Sequence, residues 1–105
     1  MTARVERDGM NRVVVGILRL TLYLPDSRSL KDKRRVLRSV KDRLRGQFNV
    51  SVAEVDHLDL WQKTTVAVAL VSKDARHADR LLQKILDRME SYRLADIIDV
   101  ETEIL

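Results

Sequence analysis

From Val13 to Leu24 the chain reads V-V-V-G-I-L-R-L-T-L-Y-L, with Leu18, Leu20, Leu22 and Leu24 alternating with Ile17, Arg19, Thr21 and Tyr23. A period of two is that of a β-strand, whose successive side chains point to opposite faces. The leucines therefore share one face and the mixed residues the other. Such a strand needs partners beside it and a second layer over its leucine face, so the remaining residues must supply both. Pro25-Asp26-Ser27 ends the strand, because proline has no N–H to give to a ladder.

The period then changes. Ser29 is a good helix N-cap, and Asp32 three residues on gives a capping-box-like pattern that also suits the positive helix start. Leu30, Val36, Leu37, Val40 and Leu44 recur at spacings near three and four, and Gly46 is the expected stop. Phe48 to Asp56 reads as a second strand with Val50 and Val52 inward. Ala53 and Val55 fall on the opposite parity, which suggests a bulge. After an Asp56-His57-Leu58-Asp59 turn, Trp61 to Ser72 is a third strand, with Val66, Val68 and Leu70 inward and Trp61, Lys63, Thr65 and Ala67 outward.

Asp74 can cap a second helix running to about Ser91, with Ala75, Ala78, Leu81, Leu82, Ile85 and Met89 as its buried stripe. Its outer residues Arg76, Asp79, Arg80, Asp87 and Arg88 mix signs. Ile97 to Leu105 is the last strand, with Ile98, Val100 and Ile104 expected inward and Asp99, Glu101 and Glu103 outward. The order β-α-β-β-α-β predicts an α+β, ferredoxin-like domain. Right-handed crossovers place both helices on one face of a four-stranded antiparallel sheet. The first and third strands are then central, the fourth is an edge, and the other sheet face is open. A chain of 105 residues fits one such domain over residues 13–105. Residues 1–12, charged at both signs, are expected to be a flexible extension, with Met10 as a second plausible start.

Several blocks resemble the YlxP-like family of small bacterial proteins: the first strand with its continuation P-D-S-R-S-L-K-D-K-R-R-V-L-R, then F-N-V-S-V-A-E-V, L-W-Q-K and the closing I-D-V-E-T-E-I-L. The resemblance spans Val13 to Leu105. It implies a ferredoxin-like domain and carries over no enzymatic activity. The genes of such proteins often lie near those for translation and ribosome-maturation factors, which implies RNA as the partner.

Charge is where function is most legible. Ser27 to Gly46 holds nine basic residues (Arg28, Lys31, Lys33, Arg34, Arg35, Arg38, Lys41, Arg43, Arg45) against Asp32 and Asp42. The whole chain is only +4, so the rest sums to −3. Lysines and arginines repeated along a helix face can neutralise successive phosphates. The plainer reading is a solvated helix face. Yet like charges three and four apart repel by a few tenths of a kcal/mol per pair, and few acids offset them. RNA or the ribosome is thus the expected partner, through Lys31, Arg34, Arg35, Arg38, Lys41 and Arg45. The helix has no Asn, Gln or aromatic over its basic turns, so contact by shape with structured RNA is expected rather than base reading.

The open sheet face offers two further readings. Tyr23 and Trp61, flanked by Arg19 and Lys63, are candidates for base stacking. Val15, Ile17, Ala67 and Ala69, with Val13 and Val71, form an apolar patch of the kind that marks association, here a homodimer. Asp56, His57 and Asp59 are too few for a metal site and suit a turn. An acyl-phosphate hydrolase would need a glycine-rich phosphate loop after the first strand, and Pro25–Ser29 contains none, although Arg28 beside the helix start offers an anion contact. Without cysteine there is neither a thiol nucleophile nor a thiolate ligand. The expectation is a non-catalytic cytoplasmic protein with no cofactor, no small-molecule substrate and no membrane span.

Overall fold

The computed structural model describes residues 13–105. The extension expected over residues 1–12, and the start at Met10, lie outside the described residues. Six elements follow one another: β1 (Val14–Tyr23), α1 (Leu30–Gln47), β2 (Ser51–Asp56), β3 (Lys63–Ser72), α2 (Ala75–Tyr92) and β4 (Asp96–Ile104). The strands form one sheet in the order β2-β3-β1-β4, with every neighbouring pair antiparallel. This is the ferredoxin-like α+β arrangement.

Leu18, Leu20, Leu22 and Leu24 are all buried, as their parity requires. On β3, Val68, Val66 and Thr64 lie opposite Leu18, Leu20 and Leu22, and Leu70 lies opposite Gly16. The helices close this face with Leu37, Val40 and Leu44 from α1 and Ala78, Leu82, Ile85 and Met89 from α2. At Gly16 an added Cβ would stand 3.3 Å from methyls of Leu70 and Leu82 and 3.5 Å from Ala78. The missing side chain lets α2 approach β1 this closely.

Both N-caps are where the sequence puts them. Ser29 Oγ accepts from the Asp32 N–H at 3.0 Å, and Asp74 Oδ1 from the His77 N–H at 2.7 Å. Four expectations need correction. Gly46 does not stop α1, which continues through Gln47 to an extended C-cap at Phe48. No left-handed residue is needed there, because the Phe48 N–H still bonds the Leu44 carbonyl at 2.8 Å. Ala75 opens α2 at its exposed first position rather than joining the buried stripe. Trp61 lies in the β2–β3 loop, not on β3.

The fourth correction concerns β4. Its pairing slips between Thr21 and Leu22, which face Asp99 and Ile97 respectively. Ile98 is the extra residue of this bulge and is 55% exposed, while Ile97 packs against the core. Val100 and Ile104 do sit opposite Leu20 and Gly16 on the helix-covered side. At the sheet edge they nevertheless remain exposed. The bulge expected in β2 is present, between Glu54 and Asp56.

Candidate nucleic-acid interface

The buried positions of α1, at 33, 37, 40 and 44, set which way every other side chain on the helix faces. At about 100° per residue, Arg34, Arg38, Lys41 and Arg45 fall on the flank beside β2. They line one groove there with Leu37, Asp42 and Glu54, of about 340 Å³. The four span about 16 Å along the axis at 1.5 Å per residue. Arg45 is partly committed, since one guanidinium nitrogen donates to the Val52 carbonyl at 3.2 Å. Among the described residues none of the four is ion-paired. Lys31 is exposed on the first turn. Arg35 points the other way, into a cavity of about 790 Å³ shared with Arg93, Glu90 and Asp96. Arg43 lies over the Tyr92 ring, 5.2 Å from its centroid, and so joins the helices. The expected set therefore divides into a row of four, with Lys31 above it and Arg35 apart from it.

Lys33, counted with the basic residues, belongs to the core. It is 1% exposed, and its ammonium meets Glu54 Oε2 at 2.7 Å and donates to the carbonyls of His57 at 2.6 Å and Leu58 at 3.4 Å. Glu54 also accepts from the Thr64 hydroxyl at 2.6 Å. A buried charge is tolerated only when paired and hydrogen-bonded in this way. The signal was present in the sequence, because position 33 completes the 4-3-4 spacing of the stripe and Glu54 continues the inward parity of Val50 and Val52. A charge at both places hid it.

The open face of the sheet is laid out in rows across the strands. Ser51, Ala69, Ile17 and Glu103 form one row, and Ala53, Ala67, Arg19 and Glu101 the next. Arg19 pairs with Glu103 at 3.2 Å, which neutralises the cation expected to help stack a base. In the following row the hydroxyls of Thr21 and Thr65 lie 3.0 Å apart. Val15, Ile17, Ala67 and Ala69 are half-buried by their neighbours, whereas Val71 is 70% exposed. Tyr23 and Lys63 are partners at the end of β1 and β3. With Asp59, Leu60, Trp61 and Gln62 they line a shallow hollow of about 490 Å³.

The remaining candidates make contacts within the chain. The Arg28 N–H donates to Asp32 Oδ2 at 3.0 Å, so the start of α1 already holds a carboxylate of its own chain. His57 adopts a left-handed conformation, φ 60°, with Nε2 3.9 Å from Asp56 Oδ2. Among the described residues no three His, Cys, Asp or Glu side chains converge as a metal site. No described helix is long and apolar enough to cross a membrane.

The class these features define is a ferredoxin-like α+β domain with one cationic helix flank. The chain belongs to the family described as "Protein of unknown function (DUF503)", whose profile matches residues 15–102. It is 33% identical over 79 residues to "Uncharacterized protein YlxP" of Bacillus subtilis (strain 168), covering 75% of this chain and 86% of that one. The resemblance read from the motifs thus holds. Among solved structures, the de novo designed protein Foldit4 superposes with a TM-score of 0.53 at 18% identity, over 90% of this chain and 97% of that one. That likeness speaks for the fold alone. SnoaB, a cofactor-independent oxygenase from Streptomyces nogalater, reaches a TM-score of 0.45 at 16% identity over 89% of this chain and 90% of that one. This is too loose to bear on function.

Proposed function

We propose that this domain is a non-catalytic, cytoplasmic RNA-binding protein that holds phosphates, of free RNA or of the ribosome, on the β2-side flank of α1. The observation carrying this reading is the row Arg34, Arg38, Lys41 and Arg45, four cations on one flank without ion-pair partners among the described residues. The row belongs to a helix fixed by its buried stripe, so the cations are presented in place rather than on a mobile tail. Binding that neutralises phosphates weakens with salt, with a log–log slope of roughly 0.7 to 0.9 per contact. Titration of RNA at several salt concentrations tests the reading. The triple variant Arg34→Glu/Arg38→Glu/Lys41→Glu is expected to lose about a hundred-fold in affinity and to flatten the slope by roughly two to three. Unchanged affinity and slope would rule the reading out.

The apolar patch of the open face favours a second reading, self-association of two copies. Four strands about 4.8 Å apart and some nine residues long give roughly 600 Å² per copy, at the low end of specific interfaces. A two-fold axis along the strands sets Glu101 and Glu103 of β4 against the uncharged Ala53 and Ser51 of the second copy, while Asp99 meets Asp56. Sedimentation should then show a dimer that Ile17→Glu dissociates. A monomer at every concentration removes this reading and leaves the first intact.

A further inference from the structure

The β2–β3 loop, residues 57–62, is held firmly from below and apolar on top. Lys33 binds the carbonyls of His57 and Leu58. The Leu60 N–H donates to the His57 carbonyl at 3.1 Å. Gln62 ties the far side to the β1–α1 connection, its Nε2 donating to the Pro25 carbonyl at 3.1 Å and its own carbonyl accepting from the Leu24 N–H at 2.9 Å. Yet Leu58, Leu60 and Trp61 are exposed, Trp61 by 54%, and so is Tyr23 beside them. Anchoring a loop so that its largest apolar side chains stay outside gains the fold nothing. It does suit a ligand that needs a rigid aromatic surface.

The hollow formed by Tyr23, Trp61 and Lys63 lies at the end of the open sheet face, because Tyr23 and Lys63 point away from the helices. The cationic row is on the helix side. The loop joins them, since Lys33 pins it beneath the first turn of α1 and Arg34 is the next residue. A ligand touching both regions must turn round the end of the sheet. A stiff duplex does not bend within a distance of this order, whereas an unpaired strand does. Aromatic stacking beside a cationic track is also how single strands are held.

We infer that the RNA bound by α1 carries an unpaired segment, one base of which stacks on Trp61 and Tyr23 while its phosphates follow Lys63 and the row from Arg34 to Arg45. This rests on the RNA reading above. Asp59, at the rim of the hollow, can accept from a base N–H such as the N3–H of uracil.

Trp61 is the single tryptophan of the chain, so its fluorescence reports this site alone. The probes are an unstructured oligouridine and a blunt RNA duplex of equal length, titrated into the intact protein. Oligouridine is expected to quench Trp61, and the duplex to leave its emission unmoved. Trp61→Ala should weaken oligouridine roughly ten-fold or more while leaving duplex affinity within about two-fold, and Trp61→Phe should restore much of the loss. Oligouridine binding with unmoved emission and unchanged Trp61→Ala affinity overturns the inference but spares the RNA reading. Equal quenching by the duplex also overturns it, and leaves the exposed loop to a protein partner. Failure of the wild-type protein to bind either RNA overturns both readings.

Discussion

The two helices occupy equivalent places in the fold, and the contrast between them is informative. Each has 18 residues, each starts at an oxygen-bearing N-cap, and each buries the fourth, eighth, eleventh and fifteenth residues after that cap. In α2 these are Ala78, Leu82, Ile85 and Met89; in α1 they are Lys33, Leu37, Val40 and Leu44. Three of the four pairs are apolar for apolar. At the first, the small Ala78 brings α2 down onto Gly16, whereas Lys33 reaches across to hold Glu54 and a loop. Their surfaces differ as well. Outside the core α2 balances Arg76, Arg80, Lys84 and Arg88 with Asp79, Asp87 and Glu90, while α1 sets seven exposed or half-exposed cations against Asp32 and Asp42. One helix shows what this architecture requires of a solvated face. The other carries an excess it does not require.

Giving α1 the residue that α2 has at the first buried position is the harshest test. Lys33→Ala leaves Glu54 charged and half-served, and should cost about 3–5 kcal/mol in chemical denaturation. Adding Glu54→Leu should recover a large part of that loss. If Lys33→Ala were as mild as a surface change, the buried pair would not hold the loop. Charge reversal comes next. Against the roughly hundred-fold loss expected for Arg34, Arg38 and Lys41, reversing Arg76, Arg80 and Arg88 on α2 should change RNA affinity by no more than about ten-fold, through net charge alone. Equal losses would make the attraction a property of the whole molecule rather than of one flank.

The smallest effect separates the caps. The N–H of His77 holds the Asp74 carboxyl below its usual range, with His77, Arg80 and Lys73 adding to the shift and partial desolvation opposing it. A carboxyl whose value is lower in the folded state stabilises fully above its ordinary value, and that contribution fades as pH falls through the lowered one. The protection of the His77 and Ala78 amides, taken relative to their intrinsic exchange rates, should therefore fall in acid. Asp74→Asn keeps the cap oxygen and should remove this acid-dependent part. The hydroxyl of Ser29 does not titrate, so its own cap hydrogen bond to Asp32 is pH-insensitive.

Most of the fold was legible because it rests on local periodicity. The leucine alternation of β1, the caps at Ser29 and Asp74, and the inward Val66, Val68 and Leu70 all follow from rules acting within a few residues. What escaped depends on partners distant in sequence. Ile98 turns outward because the β1–β4 register slips at Thr21, which nothing within β4 announces. Trp61 sits beside a strand-like run, but the contact between β1 and this run ends with the Leu24 N–H on the Gln62 carbonyl, which leaves Trp61 in the loop. Lys33 was hidden by its charge, since a cation at a core position becomes intelligible only once Glu54 faces it. For the candidate interface, the residue types were readable, but their division between two grooves was not, because it depends on which flank of α1 meets β2.

Lys33 also has a consequence for covalent chemistry. An acyl donor, whether a labelling reagent or an enzyme's thioester, has to touch the lysine nitrogen, and on α1 it can do so at Lys31 without any rearrangement. At Lys33 it must wait until Glu54 and the His57 and Leu58 carbonyls release the side chain. The ratio of the two acylation rates would thus measure how often this end of the domain springs open, and a ligand clamped over the loop would slow the second rate while sparing an uncovered Lys31.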